Sequence, residues 1–426
     1  MNQPVFHRLE NGLKVAFWPL NHLHSVGVGL YARVGSRYED PEKVGISHFL
    51  EHVLFRGNAQ YPTSLEMNRA FEGWGGAINA YTTREYTYYY GRLHPDYLKN
   101  AVQFMSDFIH EPLFADVDVE RKIILEERLE DVDSDGQDIE VDDISRLGFW
   151  GDHPFGNKII GVPASIRKIQ AKHLKEHFER FYGTENLALV VTGRFEPEDI
   201  LPVIEESFSK LPKGNAIIPE ALSKPFLPQE ETSFVNYDAT QVSLQMSFAS
   251  PAPSEEGFYH TLLIDRILDD GMSSRLWQRI VEKGGLCYEL WTALESYHDV
   301  TMWDIGASVA PEKLVQLVEA IYRELDLLRE EGPTEEEFEL AKRRWRFQQE
   351  YALDNINSIN EAMGSGYLYD RFLSFEERLQ RMESITRSEL HEYMKTFLTG
   401  ERHQIAAVGP LSKSSKKRIR AMKKNF

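Results

Sequence analysis

Cysteine is nearly missing from this chain. Cys287 is the only one in 426 residues, so no intrachain disulfide holds the fold together. No stretch approaches 18 consecutive apolar residues, which excludes a membrane-spanning helix on the usual hydropathy grounds. The opening M-N-Q-P-V-F-H-R-L lacks a charged segment leading into an apolar one, so the expectation is no signal peptide and a bacterial cytoplasmic protein. Positive charge is short as well. With 48 Lys and Arg against 67 Asp and Glu the net charge is −19, which argues against nucleic acid as the main partner. The rest is ordinary for a folded protein: 42% hydrophobic and 27% charged residues, and enough length for two or more domains with sizeable cores.

Against that plain background one stretch stands out, V-G-I-S-H-F-L-E-H-V-L-F-R-G at 44–57. It contains H-x-x-E-H: His48, Glu51 and His52. On a helix His48 and His52 lie one turn apart on the same side, with Glu51 between them and Phe55 a turn further on. Ile46, Phe49, Leu50, Val53 and Leu54 fall on the other side, ready for a core. Two neutral imidazoles at i and i+4 can grip one zinc ion if a third side chain and a water complete the set. Glu51 then stands beside that water and can act as its general base. With 14 His in the chain, the pattern arises by chance about once in 25 sequences of this composition. The bland alternative is a helix bearing two solvated histidines.

The third ligand is expected from another helix. In E-R-K-I-I-L-E-E at 120–127, Glu120, Ile123, Ile124 and Glu127 share a face, whereas Lys122, Glu126 and Glu130 form a solvated charge stripe. An acid on the apolar face is expected to be buried, and a buried acid needs a partner. Glu127 is therefore the expected ligand, Glu120 an acid standing behind the ligands, and Glu126 the fallback.

These pieces, together with G-G-A-I-N-A-Y-T at 75–82, G-M-S-S-R-L at 271–276 and G-L-C-Y at 285–288, span both halves of the chain. The sequence resembles the pitrilysin/insulinase family of inverted-motif zinc peptidases, and among them bacterial relatives of the mitochondrial processing peptidase β-subunit. The resemblance implies one zinc ion per chain and a clamshell of two lobes around a chamber. It implies that Asn79, Ala80, Tyr81 and Thr82 lie on an edge strand that pairs with an extended peptide, whose unpaired backbone groups suit that task. The residues alone also allow an ordinary hairpin there. It further implies that Arg275 and Tyr288 hold the substrate backbone, that Phe55 lines the pocket after the cut bond, and that the chain works as a homodimer or beside an inactive homologue. Gly284 departs from the family's basic residue before the glycine of that loop. The residues alone would place Arg275 on a helix surface.

Read in order, residues 4–18 form a hairpin around Asn11-Gly12, and 26–34 alternate as a strand. Helices are expected at 62–73, 96–110, 116–132, 165–182 and 196–210, with a strand at 187–191. His173 and His177 are also at i, i+4, but Lys172, Lys175 and Glu176 surround them, so they are expected on a solvated face. The pattern then recurs after about 210 residues. Val242 to Phe248 alternate, helices follow at 256–269, 312–331 and 334–360, and a strand at 404–408 closes the set. Gly257 and His260 echo Gly45 and His48, yet Leu263 and Ile264 stand where Glu51 and His52 would be, and Lys342-Arg343-Arg344 fall in the stretch comparable to the third-ligand helix. The expected architecture is α+β: a zinc lobe at 1–211, a Pro-rich linker at 212–232 and a metal-free lobe of similar fold at 233–426, each a mainly antiparallel sheet with packed helices. The basic tail 413–426 is expected to be a solvated terminal helix. The function expected is a zinc endopeptidase acting on short or unfolded peptides. The rivals are a non-catalytic partner or scaffold subunit and a zinc-binding peptide carrier.

Overall fold

The computed structural model describes residues 3–219, 222 and 224–426; the expected linker 212–232 includes residues 220, 221 and 223, which lie outside the described residues. Elements are numbered along the chain. Two compact units emerge. One comprises 1–128, 157–219 and 350–373, the other 129–156, 220–349 and 374–426. Boundaries at 211 and 233 would instead cut the chain once, and the reason for the difference lies in two helices described below.

The first unit is built on six strands, β1 (Val5–Arg8), β2 (Lys14–Pro19), β3 (Val26–Ala32), β4 (Ala77–Thr82), β5 (Thr87–Leu93) and β6 (Leu187–Gly193), in the order β1-β2-β6-β3-β5-β4. Neighbours run antiparallel except β2 and β6. The β1–β2 turn is closed by Asn11, whose Oδ1 accepts the Leu13 N–H at 3.2 Å, and by Gly12 at φ +94°, a conformation that favours glycine. Strand β3 reads V-G-V-G-L-Y-A and every residue is buried, because both faces of the sheet are covered. On one face Val28, Leu30, Val15 and Phe17 meet residues of α1 (Ile46–Leu54), α3 (Leu98–His110), α7 (Ala171–Phe181) and α8 (Pro197–Phe208). Also in this unit are α2 (Ser64–Gly73), opened by a capping box of Thr63 and Glu66, α4 (Val117–Glu127) and the short α6 (Pro163–Ile166).

The second unit carries β7 (Thr232–Asn236), β8 (Val242–Ser250), β9 (Glu289–Ser296), β10 (Thr301–Val309) and β11 (His403–Gly409), ordered β7-β11-β8-β10-β9, with β7 and β11 parallel and the other pairs antiparallel. Its main core joins Met246, Phe248, Trp303 and Ile405 to α9 (Glu256–Leu268), α10 (Leu314–Glu331), α11 (Glu335–Ala352), α13 (Phe375–Ser384), α14 (Arg387–Phe397) and α15 (Lys413–Asn425). Residues Trp277–Glu282 form a π-helical segment.

The other face of each sheet is covered by a helix from the opposite half of the chain. Helix α12 (Ile356–Leu368) lays Ile359, Met363 and Leu368 on Ala16, Tyr31 and Val190 of the first sheet. Gly364 is needed there, since a Cβ would come within 1.9 Å of the Tyr31 ring. Helix α5 (Val141–Trp150) lays Ile144 on Ala406 and Val408 of the second sheet, and its Arg146 holds Asp304 by two hydrogen bonds of 2.9 and 2.7 Å. Sequence period alone makes 334–360 one helix. Asn355 instead accepts the N–H groups of Asn357 and Ser358 and starts α12 anew, freeing it to pack on a different sheet from α11. The stretch 116–132 is α4 followed by a 3-10 turn, and 165–182 is broken between α6 and α7. The terminal basic helix is not merely solvated: Ile419 is fully buried and Lys423 donates to the Gly400 carbonyl at 2.6 Å. No helix among the described residues is long and apolar enough to cross a membrane.

Candidate metal centre

Helix α1 presents two faces, as its sequence requires. Ile46, Phe49, Leu50, Val53 and Leu54 are buried in the first unit's core. On the other side the rings of His48 and His52 lie edge to face, 4.6 Å apart. Helix α4 brings Glu127 to both. Its two carboxylate oxygens stand 3.7 Å from His48 Nε2 and 3.7 Å from His52 Nε2. One donor atom from each of the three residues lies within 4.8 Å of the others. Zinc bonds of about 2.0–2.2 Å at tetrahedral angles separate ligand atoms by about 3.3–3.6 Å, so two imidazoles and a carboxylate placed this way fit the ion.

Glu127 is not buried as expected. Its side chain is 44% exposed and Ile123 is exposed with it; of that face, Ile124 and Glu120 turn inward. An exposed carboxylate can be reached by an ion that arrives from solvent. Glu126 is also exposed and is not one of the converging three.

Glu120 is the buried acid. Its Oε2 lies 3.1 Å from His52 Nδ1, and its Oε1 accepts a bond from Arg56 Nε, a partner not anticipated from the sequence. Burial opposes charge on Glu120, but His52 and Arg56 outweigh it and hold the carboxyl below its ordinary range. A carboxylate on Nδ1 fixes the ring and leaves Nε2 for a metal. Burial drives His48 down to about 3, with His52 adding to the shift, so His48 is a neutral imidazole. Glu51 is 8% exposed and accepts a hydrogen bond from Thr82 Oγ1. Burial raises its carboxyl above the usual range despite Thr82 and His52, and Glu127 adds to the rise.

Thr82 closes β4, the outermost strand of the sheet beside β5. Asn79 is exposed on it, while Ala80, Tyr81 and Thr82 are half-buried. Tyr81 donates to Glu361 on α12 at 2.9 Å. Phe55 is half-buried, its ring edge-on to Phe108 at 5.2 Å. Arg275 and Tyr288 belong to the second unit. Arg275 is buried rather than on a helix surface, and it pairs with both oxygens of Glu337 at 2.5 and 2.7 Å; Tyr288 is 91% exposed.

The start of α1 is held by Glu39, which spacing did not flag, and by His177, which was expected on a solvated face. Glu39 Oε2 accepts the Gly45 N–H at 2.7 Å and Oε1 the Ser47 N–H at 2.8 Å. His177 Nε2 lies 3.1 Å from Ser47 Oγ. His177 thus corrects the expected solvated face. Leu174, His177 and Phe181 point inward while Lys172, Lys175 and Glu176 are exposed, and burial lowers His177 to about 3. The inward residues recur at helical spacing, a signal that was present in the sequence. His173 accepts the Gln170 N–H at the helix start.

A family profile described as "Insulinase (Peptidase family M16)" matches residues 17–161, and one described as "Peptidase M16 inactive domain" matches residues 168–344. An "Uncharacterized zinc protease" of Rickettsia felis is 31% identical over 394 residues, covering 90% of this chain and 92% of that protein. The "Uncharacterized zinc protease YmxG" of Bacillus subtilis is 26% identical over 403 residues, covering 94% and 97%. Among solved structures, a protease from Helicobacter pylori superposes with a TM-score of 0.85 at 19% identity, over 96% of this chain and 100% of that one. A chain of Complex III2 from Candida albicans gives 0.80 at 15% identity, over 98% and 99%. At these identities the two structures speak for the fold alone.

Proposed function

Because the chain belongs to the insulinase (M16) family of peptidases, we propose that it is a zinc-dependent endopeptidase cutting short or unfolded peptides. The observation that carries this reading is the convergence of His48, His52 and Glu127 with Glu51 on the same helix turn. Zinc held by those three side chains would supply a Lewis acid and lower the pKa of a bound water. Glu51 takes the proton of the attacking water and returns it to the leaving amine nitrogen. Its burial suits that task, since a carboxyl raised above its usual range is the stronger base. Thr82 fixes the carboxylate, and Glu120 fixes the ring of His52.

An extended peptide adds to β4 through backbone hydrogen bonds, a mode that reads side chains weakly. By the family resemblance Phe55 borders the pocket after the cut bond, and Arg275 and Tyr288 donate to the substrate backbone. Arg275 uses Nε and Nη2 for Glu337, so Nη1 is the donor we assign to substrate. The same resemblance suggests a homodimer or a pairing with an inactive homologue, which light scattering of the purified protein distinguishes.

The test is digestion of a mixed peptide library, read by mass spectrometry, with and without a chelator and with Glu51→Gln. Cleavage is expected to vanish with chelator and to fall by about 10²–10⁴-fold in the variant while zinc stays bound. Unchanged cleavage by zinc-loaded Glu51→Gln removes the general base. Peptide binding without cleavage by the unaltered protein makes it a carrier, and failure to bind zinc leaves a scaffold subunit.

A further inference from the structure

The two histidines are not held alike. His52 rests on Glu120 through Nδ1, whereas His48 Nδ1 is buried and meets no hydrogen-bond partner among the described residues. A metal-binding imidazole ordinarily donates its second N–H to an acceptor, which sets tautomer and ring direction. His48 lacks that support, so its direction must come from its backbone.

The residue before it is gripped on two sides. Ser47 is 1% exposed; its N–H goes to Glu39 and its hydroxyl meets His177. Glu39 also takes the N–H of Gly45. The first N–H groups of a helix have no partner within it, and a carboxylate there is favoured by the helix dipole. Gly45 cannot cap from its own side chain, and its φ of +94° and a Cβ position 2.6 Å from Gly161 Cα bar any larger residue. Glu39, buried and six residues before Gly45, therefore does the capping. His177, buried and neutral, reaches over from α7.

We propose that Glu39 and His177 are positioning residues for His48, fixing Ser47 so that Nε2 points at the ion in place of the acceptor its Nδ1 lacks. The proposal rests on the reading of His48 as a zinc ligand. It separates the site into two independently supported halves: His52 through its ring, His48 through the first turn of its helix.

The test uses the full-length protein and two conservative variants, Ser47→Ala and Glu39→Gln. Zinc affinity is measured by competition with a chelator. The visible spectrum of the cobalt-loaded protein is read well below the melting temperature, where circular dichroism matches the parent. Each variant is expected to bind zinc about 10–100-fold more weakly and to shift the cobalt bands. Folded variants with parental zinc affinity and an unaltered cobalt spectrum overturn the proposal. If Glu39→Gln does not fold, Ser47→Ala, which deletes one hydroxyl, decides alone. An unaltered protein that binds no zinc would bring down the metal reading itself, a different result.

Discussion

In the first unit β3 leads into α1, and the hairpin β4–β5 leads into α3 and α4; in the second, β8 leads into α9, and β9–β10 into α10 and α11. The strand orders β2-β6-β3-β5-β4 and β7-β11-β8-β10-β9 match position for position, each with one parallel pair. What differs is the chemistry hung on the same frame. Where α1 has Glu51 and His52, α9 has Leu263 and Ile264, both fully buried. His260 remains, but it is buried, beside the Glu256 carbonyl at 3.2 Å and the Tyr393 ring at 5.1 Å. Glu120 and Glu127 stand seven residues apart on α4; Glu337 and Arg344 stand seven apart on α11. Glu337 is taken by Arg275, and Arg344 holds both oxygens of Asp270 at 2.8 and 3.1 Å. The first unit brings two imidazoles and a carboxylate together with donor atoms within 4.8 Å of one another. In the second, Glu337 and Asp270 are each met by a guanidinium. A shared frame thus says little about chemistry.

The widest separation between the units should come from Leu263→Ala set against His52→Ala. The leucine fills a core, so its truncation is expected to cost about 2–5 kcal/mol in urea unfolding and to leave zinc content untouched. His52→Ala should abolish zinc binding while moving the metal-free protein's stability far less. A Leu263→Ala protein that loses zinc would tie the second unit to the metal site and break the comparison. Next in size is Glu120→Gln, expected to weaken zinc about 10–100-fold by loosening the His52 ring. Its counterpart Glu337→Gln should leave zinc affinity at the parental value. Chelator titration of both proteins checks the contrast, and equal losses would sink it.

How much of this is legible in the chain follows from distance along it. The spacing of His48, Glu51 and His52 is local, and one helix turn suffices to read it. The doubled alternation of 26–34 and 242–248 shows two related sheets, since strand period survives without knowledge of partners. The placement of α5 and α12 is not legible, because an apolar helix face does not say which sheet it will cover. Glu127 shares a helical face with Ile124, which suggests burial, yet near the end of α4 the inward packing comes from Ile124 and half-buried Leu125 while Glu126 and Glu127 stay exposed. Arg56 and Glu39 are invisible for another reason: charged residues mark a solvated surface by default, and only tertiary contact with Glu120 or with the start of α1 reveals their task.

The smallest effect in the comparison is expected at Arg344, which follows Glu337 by seven residues on α11 as Glu127 follows Glu120 on α4. Its bidentate pair with Asp270 has good geometry, but the guanidinium is 45% exposed and solvent screens the charge. Asp270 is 19% exposed and is also held by Arg266 at 3.1 Å, so it does not become an orphan when Arg344 is cut back. Arg344→Ala should therefore lower stability by no more than about 1 kcal/mol, read as a small shift in the urea midpoint with an unchanged slope. A loss of several kcal/mol would mean that the ion pairs of the second unit are as necessary to its frame as Leu263. The guanidiniums would then be structural supports in their own right.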